Sequence, residues 1–270
     1  MAEHQPIFGF IGTGNMGGAL ARAARKRLSG EELLLTNRTA SKAEALAREL
    51  GCRAVDNATA AGQADYLFLG VKPQMMAGML SELATVLAAR KDRFVLVTMA
   101  AGLSIARIQE LAGGDYPVIR IMPNTPASIG EGMILYACGG VTAEEEQVFL
   151  QGMAGAGKLA SLAENLIDAG SAVAGCGPAF VDLFLEALAD GGVLCGLPRA
   201  KAQAYAAQML LGAASLALET EQHPGQLKDA VCSPGGSTIA GVKTLEQFAF
   251  RAAVIDAVEA AFEKTKALGN

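Results

Sequence analysis

The sequence predicts two domains: an α/β domain built on a doubly wound, mainly parallel sheet, and an all-helical domain after it. Three observations carry that reading. From residue 7 to about residue 163, short apolar runs of strand type alternate with helical stretches, the pattern of βα units feeding one parallel sheet. The alternation then stops, and from residue 166 to 268 every segment reads as helix. At the head of the alternating region a glycine-rich turn, Gly12-Thr13-Gly14-Asn15-Met16-Gly17, joins the first strand to the first helix. The boundary is placed so that residues 1–163 form the first domain and residues 164–270 the second.

Each element has its local reason. Residues 7–11 form a short apolar run of buried-strand type, and helix pattern follows through Leu20 to about Arg27. Residues 33–36 are the second strand; Ser41 and Glu44 then have the spacing of a capping box for a helix ending near Gly51. Residues 53–55 and 66–69 are the next strands, the latter stopped by Val71-Lys72-Pro73, with a helix after Gln74. Residues 94–98 run into Ala100-Ala101-Gly102, and Ser104 can cap the helix that follows. Residues 118–121 end at Met122-Pro123-Asn124-Thr125-Pro126. Residues 133–136 and 158–161 are the last strands, around a helix that Thr142 and Glu145 box at its start.

In the second domain, residues 178–194 carry Asp182, Glu186 and Asp190 on one stripe and are apolar elsewhere, and residues 199–218 are less polar still. A helix apolar on most faces must be covered on most sides. About a hundred residues supply too few partners, so a second subunit is expected to provide the cover in an interleaved dimer. The longest uncharged run, residues 202–218, falls just short of a membrane span and includes Gln203, Gln208 and Ser215. It reads as a buried helix.

Apolar residues make up 51% and charged residues 18%, with a net charge of −5. That balance argues against a nucleic-acid or anionic-membrane surface. No basic leader precedes the first strand, which points to the cytoplasm. The five cysteines, Cys52, Cys138, Cys176, Cys195 and Cys232, are scattered, and the histidines are His4 and His223. Neither a metal site nor a Cys–His nucleophile pair is expected, and the thiols suit a reducing compartment.

The glycine-rich turn has the setting that a dinucleotide-binding (Rossmann-type) domain requires, after a strand and opening a helix. Gly12 permits the tight turn, Gly14 the approach of a pyrophosphate, and Gly17 close helix–strand packing. NAD enzymes usually place an acid at the end of the second strand. Here Asn37-Arg38-Thr39 stands there, with Lys42 one turn later, and a guanidinium suits a 2′-phosphate. NADPH is therefore favoured over NADH. Val71-Lys72-Pro73, Ala100-Ala101-Gly102 and Met122-Pro123-Asn124 should line the same crevice, the small residues leaving room for a nicotinamide ring.

Within the helical half, helix formers give way at Cys232-Ser233-Pro234-Gly235-Gly236-Ser237-Thr238-Ile239-Ala240-Gly241. Pro234, Gly235 and Gly236 forbid a regular helix, and Ser237 and Thr238 stand where a new one begins. Free N–H groups and hydroxyls at the positive end of a helix dipole make a small anion site, fit for a carboxylate. The plainer reading is an interhelical turn with a Ser/Thr cap.

Met122-Pro123-Asn124-Thr125-Pro126, Gly175-Cys176-Gly177-Pro178-Ala179-Phe180, His223-Pro224-Gly225-Gln226-Leu227-Lys228-Asp229 and above all the Cys232–Thr238 run make the whole chain resemble pyrroline-5-carboxylate reductase. The resemblance implies hydride transfer from NAD(P)H to the C=N carbon of 1-pyrroline-5-carboxylate, giving L-proline. Ser233, Gly235, Gly236, Ser237 and Thr238 would hold the substrate carboxylate, and Thr238 would lie near the ring nitrogen as the catalytic residue. Ile11, Gly12, Thr13, Gly14, Asn15, Met16, Asn37, Arg38, Asn57, Gly70, Val71, Lys72, Pro73, Met99, Ala100 and Ala101 match cofactor positions, and Glu221 faces substrate in some members. The family forms domain-swapped dimers, in some members assembled into decamers. Many members read Ser-Gly-Ser-Gly-Pro-Ala-Tyr where this chain has Ala174, Cys176 and Phe180 in place of the hydroxyl residues, so no hydroxyl of that segment can act here. The helix expected over residues 177–192 also contains no Lys. A keto-acid substrate would want that acid, whereas an imine can be protonated on nitrogen beforehand.

Overall fold

The computed structural model describes residues 5–268. The first half is an eight-stranded sheet: β1 (Phe8–Ile11), β2 (Leu33–Thr36), β3 (Arg53–Ala54), β4 (Tyr66–Leu69), β5 (Val95–Thr98), β6 (Val118–Met122), β7 (Gly132–Gly139) and β8 (Gly157–Ser161). Its helices are α1 (Asn15–Arg25), α2 (Ala40–Leu50), α3 (Asn57–Gln63), α4 (Pro73–Ala89), α5 (Ile105–Ala112) and α6 (Ala143–Met153). Strand order is β3-β2-β1-β4-β5-β6-β7-β8. All neighbours pair in parallel except β6 and β7, which are antiparallel with Ile119 opposite Cys138. The β6–β7 link is too short for a crossover helix, and without one only an antiparallel return is open. The order reverses between β1 and β4, so a crevice opens there at the carboxyl ends of the strands.

The apolar runs fix which face each strand buries. Phe8, Phe10, Tyr66 and Phe68 point to one face and Ile11, Leu67 and Leu69 to the other, the period-two alternation of a pleated strand. On the first face Phe10 stacks on Phe68 with centroids 4.3 Å apart, and Phe149 of α6 closes the cluster. On the second, Met76 and Leu80 of α4 and Ile108 of α5 cover the strands. Both faces are covered, so the strands read as unbroken apolar runs.

Two helix starts differ from expectation. α2 begins at Ala40 with Thr39 as its cap and no side-chain capping bond, so the expected Ser41–Glu44 box does not form. The Asn37 side chain takes over the reversal by accepting a hydrogen bond from Thr39 N–H at 3.0 Å. α4 begins at Pro73, whose missing N–H costs nothing in the first turn. The Ser104 cap and the Thr142–Glu145 box form as read, and α2 ends where expected, at Gly51, which caps it in the left-handed conformation.

Beyond Ala163 the described chain is helical: α7 (Ile167–Gly170), a π-type turn (Ser171–Gly175), α8 (Gly177–Leu194), α9 (Arg199–Thr220), α10 (Pro224–Ala230), α11 (Ser237–Gln247) and α12 (Phe250–Leu268). The chain divides into two compact units, the first running to Cys176 and resuming at Ala261, the second comprising Gly177–Ala260. The division falls after residue 163 because the segment behind it is bound to the sheet. Ile167 is fully buried, Arg120 of β6 is paired with Asp168, and Asn124 Nδ2 donates to the Ala174 carbonyl at 3.0 Å.

In the second unit α8 buries only Ala189 and α9 only Ala202 and Ala206. The chain alone therefore does not bury residues 202–218. Leu183, Leu218 and Phe248 are 69%, 73% and 82% exposed. By length and composition the helical run Glu164–Leu194, with mean hydropathy 1.5, is sufficient to cross a membrane, a stretch the sequence reading did not single out.

Candidate active site

The glycine-rich turn is built by contacts that admit no side chain. Gly12 has φ +92°, and a Cβ there would lie 2.6 Å from the Gly70 carbonyl oxygen. A Cβ at Gly17 would lie 2.3 Å from the Gly12 carbonyl oxygen. Gly14 is different: nothing stands within 4 Å of where its Cβ would be. Its bareness opens the backbone to a ligand. Gly14 caps α1 without a side-chain bond, and no acid sits in the first turn. The first bond of α1 runs from Gly18 N–H to the Gly14 carbonyl at 2.8 Å. The N–H groups of Asn15, Met16 and Gly17 thus lack a backbone acceptor among the described residues, at the positive end of the helix dipole.

The end of β2 is tied to this turn. The Thr36 carbonyl accepts from Gly12 N–H and Thr13 N–H, both at 3.1 Å, and from Thr13 Oγ1 at 3.2 Å. Asn37 Nδ2 donates to Thr13 Oγ1 at 3.3 Å, and Thr36 Oγ1 donates to Asn57 Oδ1 at 2.5 Å. Asn57 opens α3, whose cap Asp56 accepts from Thr59 N–H at 2.6 Å. That bond holds the Asp56 carboxyl below its usual range. Arg38 is exposed and has no hydrogen bond or ion pair among the described residues.

These residues surround a cleft with two lobes. One, of about 540 Å³, gathers Ile11, Gly12, Gly14, Asn37, Arg38, Asn57, Gly70, Val71 and Lys72. The other, of about 730 Å³, shares Asn37, Arg38 and Asn57 with it. Thr13, Asn15 and Lys42 line an adjoining depression of about 520 Å³ that shares Gly14 with the smaller lobe, and Lys42 lines neither lobe beside Arg38. Met16, Pro73, Met99, Ala100, Ala101, Met122, Pro123 and Asn124 line none of the three. Asn124 is buried and engaged: besides donating to Ala174, its Oδ1 accepts from Met133 N–H at 3.0 Å. It acts as a clamp between β7 and the π-type turn.

Sequence reasoning missed the opposite wall. Gln74, Met75, Gly78, Met79 and Glu82 of α4 line the smaller lobe. Their spacing of three to four puts them on one helix face. The signal was legible, since Gly78 leaves a gap on a stripe that starts at a strand's carboxyl end.

The second unit carries its own helix start. Ser233-Pro234-Gly235-Gly236 makes a turn closed by Gly236 N–H to the Ser233 carbonyl at 3.0 Å, with Gly235 at φ +68°. Proline second and a left-handed glycine third is the requirement of a type II turn. A Cβ at Gly236 would lie 2.5 Å from Ser233 Oγ. Gly236 itself caps α11, with no side-chain capping bond and no acid in the first turn. The plain Ser/Thr-capped turn is therefore not what forms: Ser237 and Thr238 lie inside the helix, exposed, with hydroxyls free of protein partners among the described residues. The first bond of α11 runs from Ala240 N–H to Gly236, leaving the N–H groups of Ser237, Thr238 and Ile239 unspent. α1 and α11 thus use the same device, a bare glycine cap over free amides, once in each unit.

Glu221 terminates α9 at φ 54°, left-handed and exposed. Holding a non-glycine residue there costs on the order of 1–3 kcal/mol. α8 contains no Lys.

Residues 164–268 match the family model described as pyrroline-5-carboxylate reductase dimerisation, and residues 7–102 the model described as NADP oxidoreductase coenzyme F420-dependent. A pyrroline-5-carboxylate reductase of Synechocystis sp. is 43% identical over 266 residues, covering 97% of this chain and 98% of that protein. The one from Escherichia coli is 42% identical over 267 residues, covering 97% and 98%. Among solved structures, Plasmodium falciparum pyrroline carboxylate reductase with NADP bound superposes with a TM-score of 0.88 at 30% identity, covering 98% of this chain and 99% of that one. Matched in both halves and over nearly its full length, the chain belongs to the pyrroline-5-carboxylate reductase family.

Proposed function

We infer that the protein reduces 1-pyrroline-5-carboxylate to L-proline with NADPH, the last step of proline biosynthesis, NADH serving as a weaker donor. The observation that carries the reading is the start of α11, where exposed hydroxyls of Ser237 and Thr238 stand over unspent amides. Such a place takes a small carboxylate.

The cleft residues fit a dinucleotide. Gly14 and the first amides of α1 suit a pyrophosphate, and Arg38 is free for a 2′-phosphate. When bound, the reduced nicotinamide supplies the hydride. The chain's own task is to orient the ring and manage its charge. Amides at α11 and the Ser233 and Ser237 hydroxyls hold the carboxylate; Thr238 Oγ1 anchors the ring and sits by the nitrogen that carries the proton. Orientation of this kind lowers barriers by about 7–11 kcal/mol. The C=N bond of an imine protonated on nitrogen is already polarised, so the absence of Lys from α8 is no defect. Glu221, exposed and without a side-chain partner among the described residues, is the carboxylate available to that cation.

The apolar faces of α8, α9 and α11 are assigned to a second copy of the chain, making a homodimer through residues 164–268. Occupied in this way, the Glu164–Leu194 run is covered within the dimer, and the cytoplasm is the location assigned to it. Sedimentation would read the dimer or any larger assembly of such dimers.

The decisive experiment is NADPH oxidation by purified protein with 1-pyrroline-5-carboxylate, beside 2-keto acids. Turnover of the imine alone supports the assignment; turnover of keto acids alone overturns it.

A further inference from the structure

The cleft has a charge arrangement that the dinucleotide assignment does not explain. Glu82 lines both of its lobes, as Arg38 does. It is the only carboxylate lining the smaller lobe among the described residues. It is exposed and has no hydrogen bond or ion pair among the described residues. An acid in the cavity that is to take a polyphosphate is unfavourable unless it meets a donor, because a carboxylate can only accept.

The geometry identifies that donor. A pyrophosphate over Gly14 and the start of α1 directs the adenosine half toward the end of β2, where Asn37 and Arg38 stand. Across the lobe from Arg38 runs the face of α4. Gly78 presents bare backbone there, with nothing within 4 Å of where its Cβ would be, and Met75 is 42% exposed beside it. Met75, Gly78 and Met79 line the smaller lobe together, and Glu82 stands one turn beyond Gly78 on the same helix. A purine lying against that wall meets Arg38 on its ribose-phosphate side and a carboxylate beyond.

We propose that Glu82 is a specificity-determining residue that accepts a hydrogen bond from the exocyclic amine of the adenine base. The inference rests on the dinucleotide reading of the cleft. It makes the site selective for a 6-amino purine, since a 6-keto purine presents an acceptor and sets two acceptors against each other. The 2′-phosphate is held on the other wall by Arg38.

The test is isothermal titration of the full-length protein with NADP⁺ and with its hypoxanthine analogue, for wild type, Glu82→Gln and Glu82→Ala. Because Glu82 has no hydrogen bond or ion pair among the described residues, the variants should keep the wild-type circular dichroism and melting temperature. Wild type should bind NADP⁺ about ten- to a hundredfold tighter than the analogue, the range expected for a hydrogen bond to a charged group. Glu82→Ala should bind both alike, and Glu82→Gln should fall between. A wild type that does not distinguish the two, or a Glu82→Ala that still does, overturns the proposal while leaving the cofactor assignment intact. If wild type binds neither nucleotide, the cofactor assignment itself fails, and this inference with it.

Discussion

A Cβ at Gly17 would stand 2.3 Å from the Gly12 carbonyl oxygen, closer than any real contact. The neighbour is backbone, bonded through its N–H to the Thr36 carbonyl and packed against Gly70, so it has nowhere to retreat. Gly17→Ala should therefore displace α1 from β1 and cost about 1–3 kcal/mol, the usual price of overpacking. Gly14→Ala has open space instead and should leave stability nearly unchanged while weakening cofactor binding. Thermal melts beside NADP⁺ titrations separate the two; equal losses of stability would refute the division of labour.

Arg38→Ala should weaken NADPH more than NADH. A guanidinium paired with a 2′-phosphate contributes about 1.5–3 kcal/mol, so the NADPH-to-NADH affinity ratio should fall by about tenfold to a hundredfold. The variant should fold normally, since Arg38 is exposed and unpartnered among the described residues. Equal weakening of both cofactors would make Arg38 a structural residue.

Thr238→Ala removes one of the exposed hydroxyls at the start of α11 but none of its amides. Turnover should drop strongly, with NADPH affinity close to wild type; Thr238→Ser should restore part of the rate. Unchanged turnover in the alanine variant would take Thr238 out of the mechanism.

The acid side of stability has a local cause. The Thr59 N–H bond holds the Asp56 carboxyl below its usual value. Its contribution to stability is thus complete above the unfolded value of about 3.9 and is lost as pH falls through the lower folded value. Asp56→Ala should lower the melting temperature at neutral pH and flatten the decline below about pH 4. An unaltered acid profile would place the sensitivity elsewhere.

Much of this was readable in residue order. Gly12, Gly14 and Gly17 announced their own crowding or openness because the need for glycine is a backbone property. The Ser104 and Thr142 caps were visible because a cap lies within three residues of what it caps. The cap of α2 escaped because its start depends on Asn37, which is bonded to Thr13 in the turn after β1. Asn124 escaped in the same way: nothing in the sequence joins it to Met133 and Ala174. The α4 wall had a signal in the Gly78 gap, but Glu82 itself gave none, because a lone glutamate on a helix reads as solvated surface until Arg38 is seen to line the same lobe.

Arg120 presents the last case. It lies on β6 with its side chain 4% exposed, paired with Asp168 and 3.6 Å from Glu164. Its Nε has no hydrogen-bond partner among the described residues. Burying a guanidinium is tolerable only while an anion faces it, and Asp168, at the start of the segment that follows the sheet, is the nearer one. Asp168→Ala should destabilise by about 3–5 kcal/mol, the cost of an uncompensated buried charge, moderated toward the lower figure by Glu164. The double variant Arg120→Met/Asp168→Leu removes the charge together with its partner and should recover most of the loss. Urea unfolding of the two variants decides the matter: if the double variant is no more stable than Asp168→Ala, the pair is held by packing rather than by charge.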